Sequence, residues 1–230
     1  MYPIHCNIGI KKSARRVAEH NRTRTMKHAL FLPVVFLALA MTIPCRAGQD
    51  AAVGEATRVI ETLNSTLLTC MKKGESLGFK GRYALLEPVM RNSFFYEFMV
   101  RKSTGSFWKK LEPAQQKELL TKYITWSVGT YARRFAHYKG QRFTIIDSRP
   151  VRDRFVKVTC RITRPEKKPR DLTYLLLRHN DRWMIIDIQV EGVSQLALTR
   201  SQFKSVLRKD GISGLLGILD KKISKLENNG

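Results

Sequence analysis

The sequence predicts an α+β domain in which helices pack against a twisted, four-stranded antiparallel sheet. Apolar residues recur at every third or fourth position up to residue 138, at every second position between residues 142 and 190, and at helical spacing again afterwards. The chain has 230 residues, of which 43% are apolar, and this is enough for one domain with a sizeable core. The predicted order is therefore helices, strands, helices.

Helical periodicity and helix-ending residues define the predicted helices. They are residues 51–72, 81–102 (two short helices separated near Pro88–Ser93), 113–138, 194–209 and 212–226. Gly74 and Gly140 follow two of them, and Gly211 separates the last two, because glycine readily ends a helix. Pro113 suits a first helical turn, where its missing N–H costs no hydrogen bond. Ser194 is the predicted N-cap of the fourth segment.

Alternating apolar and polar residues predict the strands. The four strands are residues 142–148, 156–162, 172–178 and 183–190. A basic turn over 164–170 and a tight turn at 179–181 connect the last three of them. Such short connections favour an antiparallel meander, because parallel strands need long crossovers.

The N-terminal region reads as a targeting segment rather than as part of the domain. Residues 1–25 are basic and patternless, and we interpret them as an upstream extension. Residues 26–47 combine a positive start, a short apolar run and small residues before Gly48, which predicts a cleaved signal peptide. An uncleaved membrane anchor is the alternative, although the apolar run is short for a span. The mature protein is then a single domain over residues 48–230, exported to the periplasm.

The charge balance is strongly basic. The whole chain carries a formal net charge of +23, and residues 1–47 contain eight basic residues and one acid, so the mature chain has 34 Lys and Arg, 18 Asp and Glu, and a net charge of +16. Nine Lys and Arg lie between Arg149 and Arg170, which fits either a solvated hairpin or an anionic surface. An exported chain rarely meets nucleic acid, so an anionic lipid headgroup or membrane is the favoured partner.

No arrangement of residues in the mature chain indicates an enzyme or a cofactor. His137 and His179 are predicted to be solvated, and Gly192-Val193-Ser194 lacks the final glycine of a nucleophile elbow. Asp187 and Glu191 are predicted to make structural hydrogen bonds or salt bridges at a turn. No zinc-ligand spacing exists. Cys70 and Cys160 fit equally a disulfide or two buried free thiols.

Three stretches resemble the MlaC/toluene-tolerance family of periplasmic phospholipid-binding proteins. They are Trp183–Ser194 with its Glu-Gly-Val-Ser ending, followed by Arg200–Phe203 and Leu207–Leu215; Gly105–Gln115; and Tyr131–Gly140. Their order and spacing agree with the family over about residues 55–225. One departure is that the family often has Phe-Asp where this chain has Phe94-Phe95. This change affects either a helix cap or a pocket wall.

The resemblance implies a non-enzymatic carrier with an apolar pocket between the sheet and the long helix with its neighbours. The residues expected to bind the lipid are Phe98, Tyr131, Phe135, Val158, Cys160, Tyr174, Leu176, Ile185 and Val193. The turn at Gly192 is expected to be structural and to border this pocket. The implied ligand is a phospholipid or, from a hopanoid-associated branch of the family, a hopanoid.

The resemblance also implies partners: an inner-membrane ABC transporter complex, an outer-membrane lipoprotein complex and transient contact with the membrane. The carrier would serve a transport system that maintains outer-membrane lipid asymmetry. A basic membrane-surface scaffold without a cavity is the alternative of another class.

Overall fold

A computed structural model describes the backbone of residues 45–152 and 154–228, with side chains for residues 48–152 and 154–227. The predicted extension and nearly all of the predicted signal peptide lie outside these residues. The elements are α1 (Cys45–Lys72), α2 (Gly74–Ser93), α3 (Tyr96–Thr104), the 3₁₀ helix η1 (Gly105–Lys110), α4 (Pro113–Arg134), β1 (Arg142–Arg152), β2 (Phe155–Arg164), β3 (Lys167–His179), β4 (Arg182–Val190), β5 (Val193–Ser194) and α5 (Gln195–Asn228). None of the helices described is long and apolar enough to cross a membrane.

The described fold is α+β, as predicted, but its sheet has five strands instead of four. The strands lie in the order β1-β2-β3-β4-β5, and each neighbouring pair is antiparallel. The added strand β5 is two residues long and pairs with Gln189 and Val190. Glu191 and Gly192 form the turn before it with φ of 51° and 84°, the left-handed pair that a two-residue hairpin requires. The turn expected at Gly192 is present, and Gly192 has a positive φ there.

The hairpin between β2 and β3 is tighter than the predicted turn over residues 164–170. Arg164 pairs with Lys167, so only Pro165 and Glu166 form the turn. Pro169 fits within β3 because it lies at a register shift between Ile162 and Arg164, where proline is tolerated. Residues 165–170 are all exposed, so this part of the hairpin lacks the alternation of apolar and polar residues that predicts a strand.

The helices before α4 break at a different place than predicted. Residues 88–93 belong to α2, and the break lies at Phe94 and Phe95. Pro88 is accommodated inside α2 because it and Ala84 are both exposed, and water can satisfy the carbonyl that loses its donor. Phe94 forms an isolated bridge with Ile185, and Phe95 N–H donates to the Ile185 carbonyl at 2.9 Å. The helices are therefore interrupted by contact with the sheet and not by a glycine or proline.

The long helix α4 ends at Arg134, four residues before the predicted end. Arg82 is buried and donates from Nε to the Ala132 carbonyl at 2.8 Å and from Nη1 to the Gly74 carbonyl at 2.7 Å. Cys70 Sγ donates to the Phe135 carbonyl at 3.4 Å. These long-range donors satisfy carbonyls at the end of α4, so the helix does not need to continue to do so.

The core lies on one face of the sheet, beneath α1 and the other helices. Helix α1 contributes Ile60, Leu63 and Leu67, each fully buried. The opposite face is solvated, and there Arg161 binds Asp171 through two hydrogen bonds of 2.7 and 2.8 Å. The predicted break in the closing helices is confirmed, because Gly211 has a φ of 65° inside α5.

Candidate functional site

The inner face of the sheet brings together five of the predicted wall residues. They are Val158, Cys160, Tyr174, Leu176 and Ile185, and none is more than 1% exposed. Strand register explains this grouping: Val158 is opposite Tyr174, and Leu176 is opposite Ile185. Alternation then places every second residue of each strand on the same face.

Two further predicted residues, Tyr131 and Phe135, reach this face from α4. Their rings are 5.5 Å apart, one helical turn from each other. The Phe135 ring is 6.4 Å from Phe143 on β1, and the Tyr131 ring is 6.0 Å from Phe94. Phe94 in turn bridges to Ile185. The end of α4 thus contacts the edge strand and the central strands through a chain of aromatic rings. We call these rings and the five sheet residues above, taken together, the aromatic–sheet layer.

Phe98 and Val193 lie elsewhere. Phe98 is on α3, where its ring stacks on Phe95 at 5.8 Å and lines a surface cleft. Val193 is the first residue of β5 and is 51% exposed. Whether any of the nine predicted residues contacts a ligand stays a prediction.

The aromatic–sheet layer is uncharged and strongly desolvated. Burial raises the pKa of the Tyr131 hydroxyl to about 12 and raises that of Tyr174 well above its usual value. Burial also raises the pKa of the Cys160 thiol, although a hydrogen bond from Asn64 opposes this. The only buried charged residues in the described part of the chain are Arg82 and Asp187. Arg82 binds backbone carbonyls at the end of α4, and Asp187 binds the start of α5, so neither needs a ligand.

Sequence reasoning missed three residues of this region. Phe94 and Phe143 complete the ring contacts, and Asn64 projects from α1 toward Cys160, with its Nδ2 at 3.3 Å from Sγ. The signal for Asn64 was present, because it is a polar residue four positions after Ile60 on the buried face of α1. No local signal separates Phe94 from the other aromatic residues around it.

The residues considered for catalysis have structural contacts instead. Leu196 N–H donates to Asp187 Oδ1 at 3.0 Å, and Ala197 N–H donates to Ser194 Oγ at 3.0 Å, which confirms the predicted N-cap. His179 is half-buried and stacks on Phe95 at 4.5 Å, so it is in only partial contact with solvent. Cys70 and Cys160 are both free and buried. Within the described residues, no three His, Cys, Asp or Glu side chains cluster as metal ligands would.

The fold and this region define a class: small α+β proteins whose helices close an uncharged, apolar layer over an antiparallel sheet. The model of the MlaC protein family matches residues 61–221, and the chain belongs to that family. A solved structure of similar fold is the phospholipid-binding protein from Ralstonia solanacearum in complex with a phospholipid. It is 21% identical to this chain, with a TM-score of 0.67, and the match covers 75% of this chain and 99% of that one.

Proposed function

We propose that this protein is a periplasmic lipid carrier, the substrate-binding component of an ABC-type intermembrane phospholipid transport system that maintains outer-membrane lipid asymmetry. Membership of the MlaC family supports this proposal. The similar fold of a protein solved with a phospholipid supports a phospholipid as the ligand. The carrier receives lipid from one membrane complex and delivers it to another, one being an outer-membrane lipoprotein complex and the other an inner-membrane ABC transporter.

The observation that carries the proposal is the uncharged aromatic–sheet layer. Exposed acyl chains cost ~0.8 kcal/mol per CH₂ in water, so two chains of ~15 carbons cost on the order of 20 kcal/mol. A carrier must offset this cost with an interior that has no unpaired charge. Val158, Tyr174 and Leu176 provide such a surface, and Tyr131 and Phe135 face it from α4.

The sheet side of the layer is closed in the structure, since none of its five residues is more than 1% exposed. Acyl chains can therefore enter only if helices separate from the sheet. The aromatic rings of α4 are the natural place for this separation, because Tyr131 and Phe135 are only half-buried whereas the sheet residues opposite them are fully buried. The headgroup stays at the surface, where basic residues are abundant.

Two alternative functions, a hopanoid carrier and a membrane-surface scaffold, can be distinguished from a phospholipid carrier by identifying the bound lipid. A hopanoid would fill the same layer with fused rings instead of acyl chains. A basic membrane-surface scaffold would use the layer only as an ordinary core, and its exposed cations would carry the function.

The first experiment is native and extraction mass spectrometry of the protein purified from cells. A stoichiometric lipid supports the carrier, and its mass separates a phospholipid from a hopanoid. A protein that carries no lipid and takes none up from vesicles would show that the layer is core, and would favour the scaffold.

The second experiment locates the ligand. A phospholipid with a photoreactive diazirine in one acyl chain is loaded and cross-linked, and the labelled residues are identified by fragmentation. We expect labels at Val158, Tyr174 or Leu176 and at Tyr131 or Phe135. Arg161 and Thr159, on the opposite face of β2, are the internal control, and labelling confined to that face would contradict the proposed pocket.

A further inference from the structure

A surface cleft of about 500 Å³ lies where α3, η1 and the start of α5 meet. The residues that line it include Phe95, Phe98, Trp108, Arg101, Lys109 and Arg200. Among the described residues, Glu97 is the one carboxylate that lines it, and its Oε1 is 3.5 Å from Nη1 of Arg101. The cleft is therefore aromatic inside and positively charged at its rim.

The rings of Phe95, Phe98 and Trp108 in the cleft are half-buried, and two of them stack on each other. Phe95 stacks on Phe98 at 5.8 Å and on His179 at 4.5 Å, and Lys102 Nζ lies 5.3 Å from the centre of the Phe98 ring. Phe95 occupies the N-cap position of α3 but makes no side-chain capping bond. This is the position at which the chain departs from the Phe-Asp pattern noted above, so an aromatic ring stands where a carboxylate cap would make the cleft more acidic.

The cations extend beyond the cleft along α5. We define the basic–aromatic face as the exposed and half-buried side chains of residues 95–110 and 195–210, which together contain eight Lys and Arg and only two acids, Glu97 and Asp210. Lys204, Arg208 and Lys209, which follow Arg200 by four to nine residues on α5, line a second depression. None of these four α5 cations forms an ion pair with a carboxylate in the described part of the chain.

We propose that the basic–aromatic face docks onto the surface of a bilayer rich in anionic phospholipid. Half-exposed aromatic rings next to lysine and arginine are the composition that binds at the membrane interface. An anionic leaflet attracts each cation that comes within a Debye length of it. Arg200, Lys204, Arg208 and Lys209 have no carboxylate partners within the described part of the chain to give up on docking, so their full charge is available.

The basic hairpin of β2 and β3 is the competing surface, and it fits a bilayer less well. Its tip, residues 164–170, has no aromatic side chain to enter the interface. Arg161, further along β2, is already held by Asp171 through two hydrogen bonds. The hairpin therefore offers charge alone.

The face adjoins the proposed lipid layer. Phe95 lines the cleft, whereas Phe94 before it is 3% exposed and packs on Tyr131. Docking through the cleft would thus place the bilayer next to the aromatic–sheet layer, because Phe95 and Phe94 are consecutive residues. That this proximity serves lipid transfer rests on the proposed carrier function. Docking itself does not depend on lipid being carried.

The test compares two triple variants that change the net charge equally. The face variant is Lys109→Glu with Arg200→Glu and Lys204→Glu, and the hairpin control is Lys167→Glu with Lys168→Glu and Arg170→Glu. All six residues are exposed, so both variants should fold, which circular dichroism checks. Binding is measured by flotation with vesicles of phosphatidylglycerol and phosphatidylcholine, and with vesicles of phosphatidylcholine alone.

We expect wild-type protein to bind the anionic vesicles selectively, and the face variant to lose on the order of 100-fold in partition coefficient. The hairpin control should lose less than about tenfold, because its cations lie away from the interface. Equal losses in the two variants, or no binding by wild-type protein, would overturn the proposal. A face variant that binds vesicles normally but no longer binds a protein partner would also overturn it, in favour of an acidic protein surface.

A second pair isolates the charge inside the cleft. Phe95→Asp and Phe95→Asn remove the same ring and supply similar N-cap oxygens, but only the first adds a carboxylate. We expect Phe95→Asp to bind anionic vesicles about fivefold more weakly than Phe95→Asn. Equal binding by the two would contradict docking through the cleft. Mass spectrometry of bound lipid in every variant separates the two questions, because absence of lipid from wild-type protein tells against the carrier and leaves the docking result intact.

Discussion

The Nδ2 atom of Asn64 on α1 lies 3.3 Å from Sγ of Cys160 on β2, and this contact joins the helix to the sheet. Asn64 is only 6% exposed, and its Oδ1 has no hydrogen-bond partner among the described residues. Turning the amide over would let the thiol donate to Oδ1 and would leave Nδ2 without an acceptor, so one polar atom is unsatisfied either way. The interface between α1 and the sheet therefore carries a polar group that its surroundings do not fully satisfy.

Replacing Asn64 with leucine should stabilise the lipid-free protein by about 1 kcal/mol, because an unsatisfied buried polar atom costs ~1–3 kcal/mol and leucine has a similar size. Urea unfolding at neutral pH measures this change. Asn64→Ala is the control, and it should be less stable than Asn64→Leu because it leaves a cavity. If Asn64→Leu is clearly less stable than wild type, Oδ1 has a partner such as a bound water.

Arg82→Met should destabilise the protein by about 2–4 kcal/mol, because it leaves the Ala132 and Gly74 carbonyls buried without their donors. Arg91→Met on the same helix is the control. Arg91 is exposed and pairs with Glu87 at 2.8 Å, one helical turn away, and such pairs contribute about 0.3–0.5 kcal/mol. Equal losses in urea unfolding would contradict the structural role of Arg82.

Gly74 and Gly54 make a matched pair for testing how closely α2 approaches the end of α4. A Cβ at Gly74 would lie 1.7 Å from the Ala136 carbonyl oxygen, whereas a Cβ at Gly54 meets nothing within 4 Å. Gly54→Ala should stabilise the protein by up to about 1 kcal/mol through helix propensity. Gly74→Ala should lower the thermal midpoint strongly, because backbone must move to admit the methyl group. A Gly74→Ala protein as stable as Gly54→Ala would show that the two helix ends are further apart.

The features that the sequence predicted depend on local chemistry. Alternation predicted the four long strands, and Gly211 and Gly192 marked a helix break and a turn because both positions need a positive φ. Ser194 was recognisable as an N-cap because its hydroxyl serves the following turn. Such signals act within a few residues, so a single sequence displays them.

The features that it missed depend on residues far apart in the chain. Helix α4 ends early because Arg82 and Cys70, more than 45 residues before its end, bind its last carbonyls. The break at Phe94 follows from its bridge to Ile185, 91 positions later. In the site, periodicity selected the inner face of the sheet, since alternation is local. It could not separate Phe98, which faces a surface cleft, from Phe94, which packs on Tyr131, because the two share the same local environment of aromatic residues.

Alkaline pH should unfold the protein, because burial raises the pKa of several tyrosine hydroxyls in the core: Tyr96, Tyr123, Tyr131 and Tyr174. For Tyr131 the folded pKa is about 12, compared with about 10 in an unfolded chain. The folded state thus keeps its proton to higher pH than the unfolded state does. The stability that this difference provides is fully present below pH ~10 and is lost as the pH rises toward ~12.

The urea midpoint, measured across this range, should be level near neutral pH and should fall above about pH 10. Burial also raises the pKa of the Cys70 and Cys160 thiols. Because an ordinary thiol ionises at a lower pH than a tyrosine hydroxyl, these two groups make the urea midpoint begin to fall at a slightly lower pH. Tyr131→Phe removes one ionising group while keeping the ring, so its midpoint should fall less steeply than that of wild type. Identical slopes would mean that the Tyr131 hydroxyl reaches solvent, which would place an opening in the aromatic–sheet layer at the end of α4.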